Sequence, residues 1–157
     1  MITPEIRDSI EASVLCWLAT VSADGIPNVS PKEAFYCNEE DHILIAHVAS
    51  PQTIANLQQQ PEVCLSFIDI FTQRGFKIHG QASILESDHE DFRSRSAILA
   101  TMVGPSHKIL ALIVIRPTAV AEVVAPSYTI HPETTERDMV KQSLETYRVK
   151  HYQSLAE

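Results

Sequence analysis

Two short stretches carry the residue types that could hold an anion. In "NVSPK" (28–32), Ser30 and Lys32 lie two apart, so on a strand they share one face. In "IAHVASPQTIANLQQQP" (45–61), an apolar run breaks at Ser50 and Pro51, and a helical stretch follows with Thr53 in its first turn. A strand that ends where a helix begins leaves backbone N–H groups unpaired. Those groups either take caps from nearby hydroxyls or face an anion. Two readings follow. Ser50 and Thr53 cap their own helix while Lys32 is a solvated edge lysine, or the hydroxyls, the N–H groups and the ammonium bind a phosphate together.

Other chemistries find little material. None of the seven histidines pairs with another at a metal-binding spacing, "HEDF" (89–92) is not HExxH, and there is no CxxC. Four glycines cannot build a phosphate loop or a dinucleotide fingerprint. Cys16, Cys37 and Cys64 each sit in an apolar, strand-like run, which predicts reduced, buried thiols. A formal charge of −8 argues against partners made of nucleic acid or anionic lipid. The N-terminus lacks the basic and apolar regions of a signal peptide, and the longest apolar run, "ILALIVI" (109–115), has the length of a strand. The pattern predicts a soluble, cytoplasmic protein with no membrane partner and no metal.

The elements that must position Ser30, Lys32 and Thr53 can be read along the chain. Thr3-Pro4 starts a helix over 4–13, with Ile6, Ile10 and Val14 on its apolar face. "CWLATVS" (16–22) and "PNVSPKEAFYC" (27–37) form a hairpin around Asp24-Gly25, and Pro31 marks an edge or an irregularity in the return strand. "HILIAHVA" (42–49) is apolar on both faces, a strand covered on two sides. A helix over 50–60 ends at Pro61, and strands follow over 62–70 and 76–85, with Gly80 marking a bulge or a close approach. A helix over 88–103 buries Phe92, Ile98, Leu99 and Met102. The stretch 108–124 is one strand or two, interrupted at Arg116-Pro117, and 125–138 is a loop. A tail helix over about 136–155 shows Val140, Leu144, Tyr147, His151 and Leu155 as one stripe.

The sum is a mainly β chain, six antiparallel strands with peripheral helices. Short antiparallel strands that must hide their edges favour a small closed barrel. Residues 1–130 form the barrel domain, and 131–157 form a helical tail packed on that domain or on a second copy.

The order "LATVSADGIPNVSPK", "ILIAHVASPQTIANLQQQP", "VCLSF", "RGFKIHGQASIL" resembles the pyridoxamine 5′-phosphate oxidase-like, FMN-binding split-barrel family. The resemblance covers roughly residues 10–125. It implies a six-stranded split barrel and a homodimer with FMN at the subunit interface. It places the flavin against Ser30, Pro31 and Lys32, then Ala46, His47 and Val48, then Gln52 and Thr53. It also puts Arg74 and Phe76 near the flavin of the same or the other subunit. Asn56 matches a structural asparagine. Pro51 and Gln52 stand where family members often carry a basic residue, Ser30 where a true pyridoxamine phosphate oxidase has arginine, and "YRVKHY" (147–152) departs in spacing from the basic substrate motif. The implied function is an FMN-dependent oxidoreductase acting on a small organic substrate, related to the phosphate oxidases without being one. The alternative is a non-catalytic flavin or haem carrier. The catalytic residues are not identified by the resemblance.

Overall fold

The computed structural model describes residues 2–150 and Gln153. Helix α1 (Pro4–Ala12) opens on Thr3, whose hydroxyl accepts the Ile6 N–H at 3.3 Å, and it buries Ile6 and Ile10. The helix stops at Ala12, two residues before Val14 would join them. The Ser13 hydroxyl turns back to the Ser9 carbonyl at 2.7 Å, the helical period lapses, and Val14 is left 82% exposed.

Among the described residues seven strands, not six, form one antiparallel sheet in the order β2-β1-β5-β6-β7-β4-β3. Strands β1 (Cys16–Val21) and β2 (Pro27–Lys32) pair from Cys16↔Lys32 to Val21↔Pro27, across a turn in which Gly25 has φ of +79°. The 27–37 segment is the source of the extra strand. Its first half pairs with β1, and its second half, β3 (Phe35–Cys37), pairs with β4 (Ile43–His47). The change of partner falls at Glu33-Ala34, directly after Pro31, which has no N–H to donate. The two ends of the sheet are therefore two halves of one chain segment, tied by two residues. Among the described residues no ladder pairs β2 with β3.

Strand β4 is buried at every position, as its sequence demands. Ile43 and Ile45 enter a core with Leu18, Leu65, Phe67 and Ile113, while Leu44 and Ala46 enter a second core with Leu112 and Leu99. Leu99 comes from α3 (Phe92–Val103). That helix buries Ser96 and Leu99, leaves Phe92 half-buried, and leaves Ile98 and Met102 each 50% exposed, against the sequence expectation for both. Spacings of three and four from Phe92 through Ser96 and Leu99 to Val103 define the packed stripe, and Ile98 and Met102 lie beside it.

Strands β5 (Glu62–Asp69), β6 (Arg74–Glu86) and β7 (Ala111–Val124) complete the sheet, and β7 runs unbroken through Arg116-Pro117. His79 pairs with Ala119 and Gly80 with Pro117, so Thr118 is an extra residue bulged out of the ladder. The bulge absorbs the proline. It needs glycine opposite, because a Cβ at Gly80 would meet the Arg116 carbonyl oxygen at 2.7 Å.

Helix α2 (Pro51–Leu57) follows β4. After β7, a short helix α4 (Pro126–Ile130) occupies what the sequence suggests is loop. Helix α5 (Glu136–Thr146) starts on a capping box between Thr135 and Asp138. It buries Met139 and Ser143, leaving Leu144 and Tyr147 exposed, so the buried stripe is one position off the one the sequence suggests. Its predicted continuation, with His151 and Leu155, lies outside the described residues. No helix among the described residues is long and apolar enough to cross a membrane.

Candidate functional site

On β2, alternation sends Asn28, Ser30 and Lys32 to one face and Pro27, Val29 and Pro31 to the exposed other face. Lys32, the last residue of the strand, is only 5% exposed. Its Nζ donates to Ser50 Oγ, the residue before α2. Ser30 Oγ and Thr53 Oγ1 are 2.9 Å apart, and Thr53 is fully buried. Neither hydroxyl serves its own helix, for Ser50 makes no side-chain cap to α2. The capping reading fails because both oxygens are turned across to β2.

A second polar chain bolts α2 to the hairpin. Asn56 Nδ2 donates to Thr20 Oγ1 at 2.9 Å, Asn28 Nδ2 donates to the same oxygen at 3.2 Å, and Gln52 Nε2 donates to Asn56 Oδ1 at 2.8 Å. Thr20 and Asn28 are not singled out by their sequence context. They are nonetheless legible, since a hairpin centred on Asp24 sets position 20 opposite position 28, as the register has it.

The electrostatics of this cluster are unusual. Burial pushes the Lys32 pKa down. Its neighbour across the ladder, Cys16, has a thiol pushed up to about 12 by burial, so at neutral pH it offers no negative charge. Among the described residues Lys32 has no carboxylate partner; Ser50 is its hydrogen-bond acceptor. A nearly buried ammonium without a counter-ion is costly unless something else supplies the charge. His47 stands at the end of β4, 9% exposed, with Nδ1 buried and unpartnered. Burial first, and the Lys32 charge second, lower its pKa, while Glu86 works in the opposite direction. The imidazole is therefore neutral at pH 7, with one ring nitrogen free to accept or donate.

The structure brings Ser30, Lys32, Thr53 and His47 to one place, with Gln52 on the exposed side of α2. It does not bring the remaining candidates there as side chains. Pro31 faces outward, and Ala46 and Val48 point into the second core with Leu44, the Ala46 N–H being spent on the Ala34 carbonyl at 3.0 Å. Ser50, at the edge of the sequence pattern, belongs to the cluster through Lys32.

Arg74 is elsewhere. Its guanidinium donates to Glu136 at 3.0 Å and Glu122 at 3.2 Å, and lies 5.5 Å from the Tyr128 ring centroid. These hydrogen bonds, Glu122 first, push its pKa further up. Arg74 and Phe76 line an open cavity of about 1090 Å3, bounded by α1, the 13–17 segment and the β5–β6 turn. None of Ser30, Lys32, His47 and Thr53 lines it. Among the described residues no three His, Cys, Asp or Glu side chains gather closely enough to hold a metal ion.

The family model for pyridoxamine 5′-phosphate oxidase matches residues 2–124. No curated protein matches the chain. Among solved structures, HupZ of Group A Streptococcus is similar over 80% of this chain and 99% of its own, at 22% identity and a TM-score of 0.66. An FMN-binding protein from Syntrophomonas wolfei subsp. wolfei is similar over 76% and 84%, at 17% identity and a TM-score of 0.67. HutZ, the haem storage protein of Vibrio cholerae, is similar over 78% and 94%, at 26% identity and a TM-score of 0.61.

Proposed function

The chain belongs to the pyridoxamine 5′-phosphate oxidase-like family, and from that premise we propose that it binds FMN, with the flavin phosphate at Lys32, Ser30, Ser50 and Thr53. The observation that carries this reading is the buried lysine, which has no counter-ion among the described residues. A phosphate monoester carries about −1.5 to −2 charge at pH 7 and three acceptor oxygens, which is the complement Lys32 lacks. The residues fit the group in two further ways. The Ser50 hydroxyl already accepts from the ammonium, the Ser30 and Thr53 hydroxyls pair between the same strand and helix, and the neutral His47 leaves a buried nitrogen unpartnered. With Pro51 and Gln52 flanking Thr53, Lys32 is the one cation of the cluster, so affinity rests on it.

In this reading Lys32 neutralises the phosphate, Ser30 and Ser50 fix its orientation, and the Thr20–Asn56 link holds α2 at the right distance. Bound there, FMN supplies the hydride or electron relay of an oxidoreductase acting on a small organic substrate. The two ends of the sheet, tied through Glu33-Ala34, support a split barrel. The exposed outer face of β1, β2 and β5, where Trp17, Val29 and Ile68 stand uncovered, supports a homodimer across that face. Arg74, which has no contact with the cluster, then belongs to the part of the groove that the second protomer contributes.

The second reading is a non-catalytic carrier of flavin or haem. It is favoured by His47, a neutral, buried imidazole of the kind that ligates haem iron, and by the likeness to a haem storage protein. Titration of the purified chain with FMN, followed by flavin fluorescence, tests the first reading. Saturable binding that is lost in Lys32→Met, with the unfolding transition retained, supports it; no binding by the wild type at saturating FMN sinks it. A Soret band on adding haemin, removed in His47→Ala, would favour the carrier. Bleaching of bound flavin by NAD(P)H would favour the oxidoreductase.

A further inference from the structure

Among the described residues two buried side-chain nitrogens lack a hydrogen-bond partner, Nδ1 of His42 and Nδ1 of His47. His42 has the Glu40 carboxylate 3.3 Å away at the β3–β4 turn. His47 has no carboxylate that close among the described residues. Alternation along β4 turns its ring to the side of Ile43 and Ile45, which face the first core. Cys16 belongs to that core, and Lys32 stands directly opposite Cys16 in the ladder, so Lys32 and His47 share one side of the sheet. Two charged groups act on the ring. Lys32 of β2 opposes an imidazolium, and the exposed Glu86 of β6 favours one. Ala111, opposite His47 on β7, is uncharged, and the first turn of α2 holds no acid.

In the free protein, burial and the nearby ammonium keep the ring neutral. A phosphate monoester on Lys32 reverses the charge that the ring faces, because about two negative charges arrive beside one positive charge. We propose that His47 takes up one proton from solvent when the phosphate binds, and so becomes the second cation of the cluster. The proton goes to the unprotonated ring nitrogen, after which both nitrogens are donors. The second positive charge that Pro51 and Gln52 do not supply is then created by the ligand itself. The proposal rests on the flavin-phosphate reading and adds a condition to it: binding consumes a proton, and alkaline pH opposes it.

Calorimetric titration of the full-length protein with FMN at pH 7, in buffers of different ionisation heat, counts the protons. The slope of observed heat against buffer heat is the number taken up. The phosphate has its own second pKa at about 6, so at pH 7 it is mostly dianion and releases little. An uptake of about 0.5 proton or more per FMN is expected, and affinity should fall by about three- to tenfold from pH 7 to pH 8. In His47→Gln the uptake should drop below about 0.2 proton, and affinity should change by less than about twofold over the same interval. A second readout needs no variant to fold: the ring nitrogen resonances of His47 in the wild type should pass from the neutral to the imidazolium pattern on adding FMN at pH 7. FMN binding without proton uptake, or with a His47 ring that stays neutral, overturns the inference and leaves the flavin reading standing. Uptake that persists in His47→Gln assigns the proton to Lys32 and overturns it too. No binding of FMN at all sinks both.

Discussion

Lys32 and Arg74 are both cations at the end of a strand, and the fold treats them in opposite ways. Lys32 is nearly buried, donates to the Ser50 hydroxyl, acts on a neutral histidine, and has no carboxylate partner among the described residues. Arg74 is 43% exposed at its side chain, is held by two glutamates and is stacked against a tyrosine. The difference teaches where an anion can be held. A cation whose charge is already matched has little to gain from a ligand. A desolvated cation without a partner gains the whole of the interaction when one arrives.

The comparison breaks most visibly at Lys32. Lys32→Met removes one charge-assisted contact, worth about 1.5–3 kcal/mol, so FMN affinity should fall by about 10- to 100-fold. The flavin-free protein should be as stable as the wild type or more so, because a buried unpaired charge has gone. Urea unfolding with and without FMN measures both. Weaker binding together with a large loss of flavin-free stability would mean that Lys32 is structural.

Thr20→Val, next in size, leaves the amides of Asn56 and Asn28 without their acceptor. It should cost about 1–3 kcal/mol in urea unfolding. A change well below that would mean that α2 is held by Leu57 and Ile54 alone.

The third test is pH. His47 has a folded-state pKa below its unfolded value, so below pH 6.5 the unfolded chain binds the extra proton first. Stability of the flavin-free protein should therefore fall as pH drops from 6.5 through the lowered folded pKa, then level off. His47→Gln should flatten that part of the profile of melting temperature. Lys32 has the same sign at high pH. Its contribution should rise as pH climbs from its lowered folded pKa toward 10.5, and Lys32→Met should remove that rise.

Arg74→Met should do least. Its ion pairs are exposed, so the loss is about 0–1 kcal/mol, and FMN affinity of the isolated protomer should not move. A loss of FMN that appears only at concentrations where the protein is dimeric would sharpen the comparison, placing Arg74 in the second protomer's half of the groove.

Much of the scaffold is legible in sequence because local rules decide it. Thr3-Pro4 starts a helix, Asp24-Gly25 turns a hairpin, the doubly apolar 43–47 run demands cover on both faces, and Gly80 marks the bulge. The misplacements share a cause. Val14, Ile98, Met102 and Leu144 are apolar residues assigned to a buried stripe by period alone, and which stripe of a helix is buried depends on what lies against it. Strand 27–37 reads as one element because its composition hardly changes. It is two because its hydrogen-bonding partner changes from β1 to β4 at Glu33-Ala34, and no local signal records a partner distant in the chain.

The candidate site divides along the same line. Sequence alone determined that a serine and a lysine share a strand face, that a serine and a threonine stand at a helix start, and that the chain resembles a flavin-binding family. These follow from period, from capping chemistry and from the order of motifs, all of which act over a few residues. Only the tertiary structure decided that Lys32 is buried with no counter-ion among the described residues, that the hydroxyls face β2 instead of capping α2, and that Arg74 is matched by its own glutamates. Burial and charge pairing are set by residues tens of positions away, and so no reading of spacing could supply them.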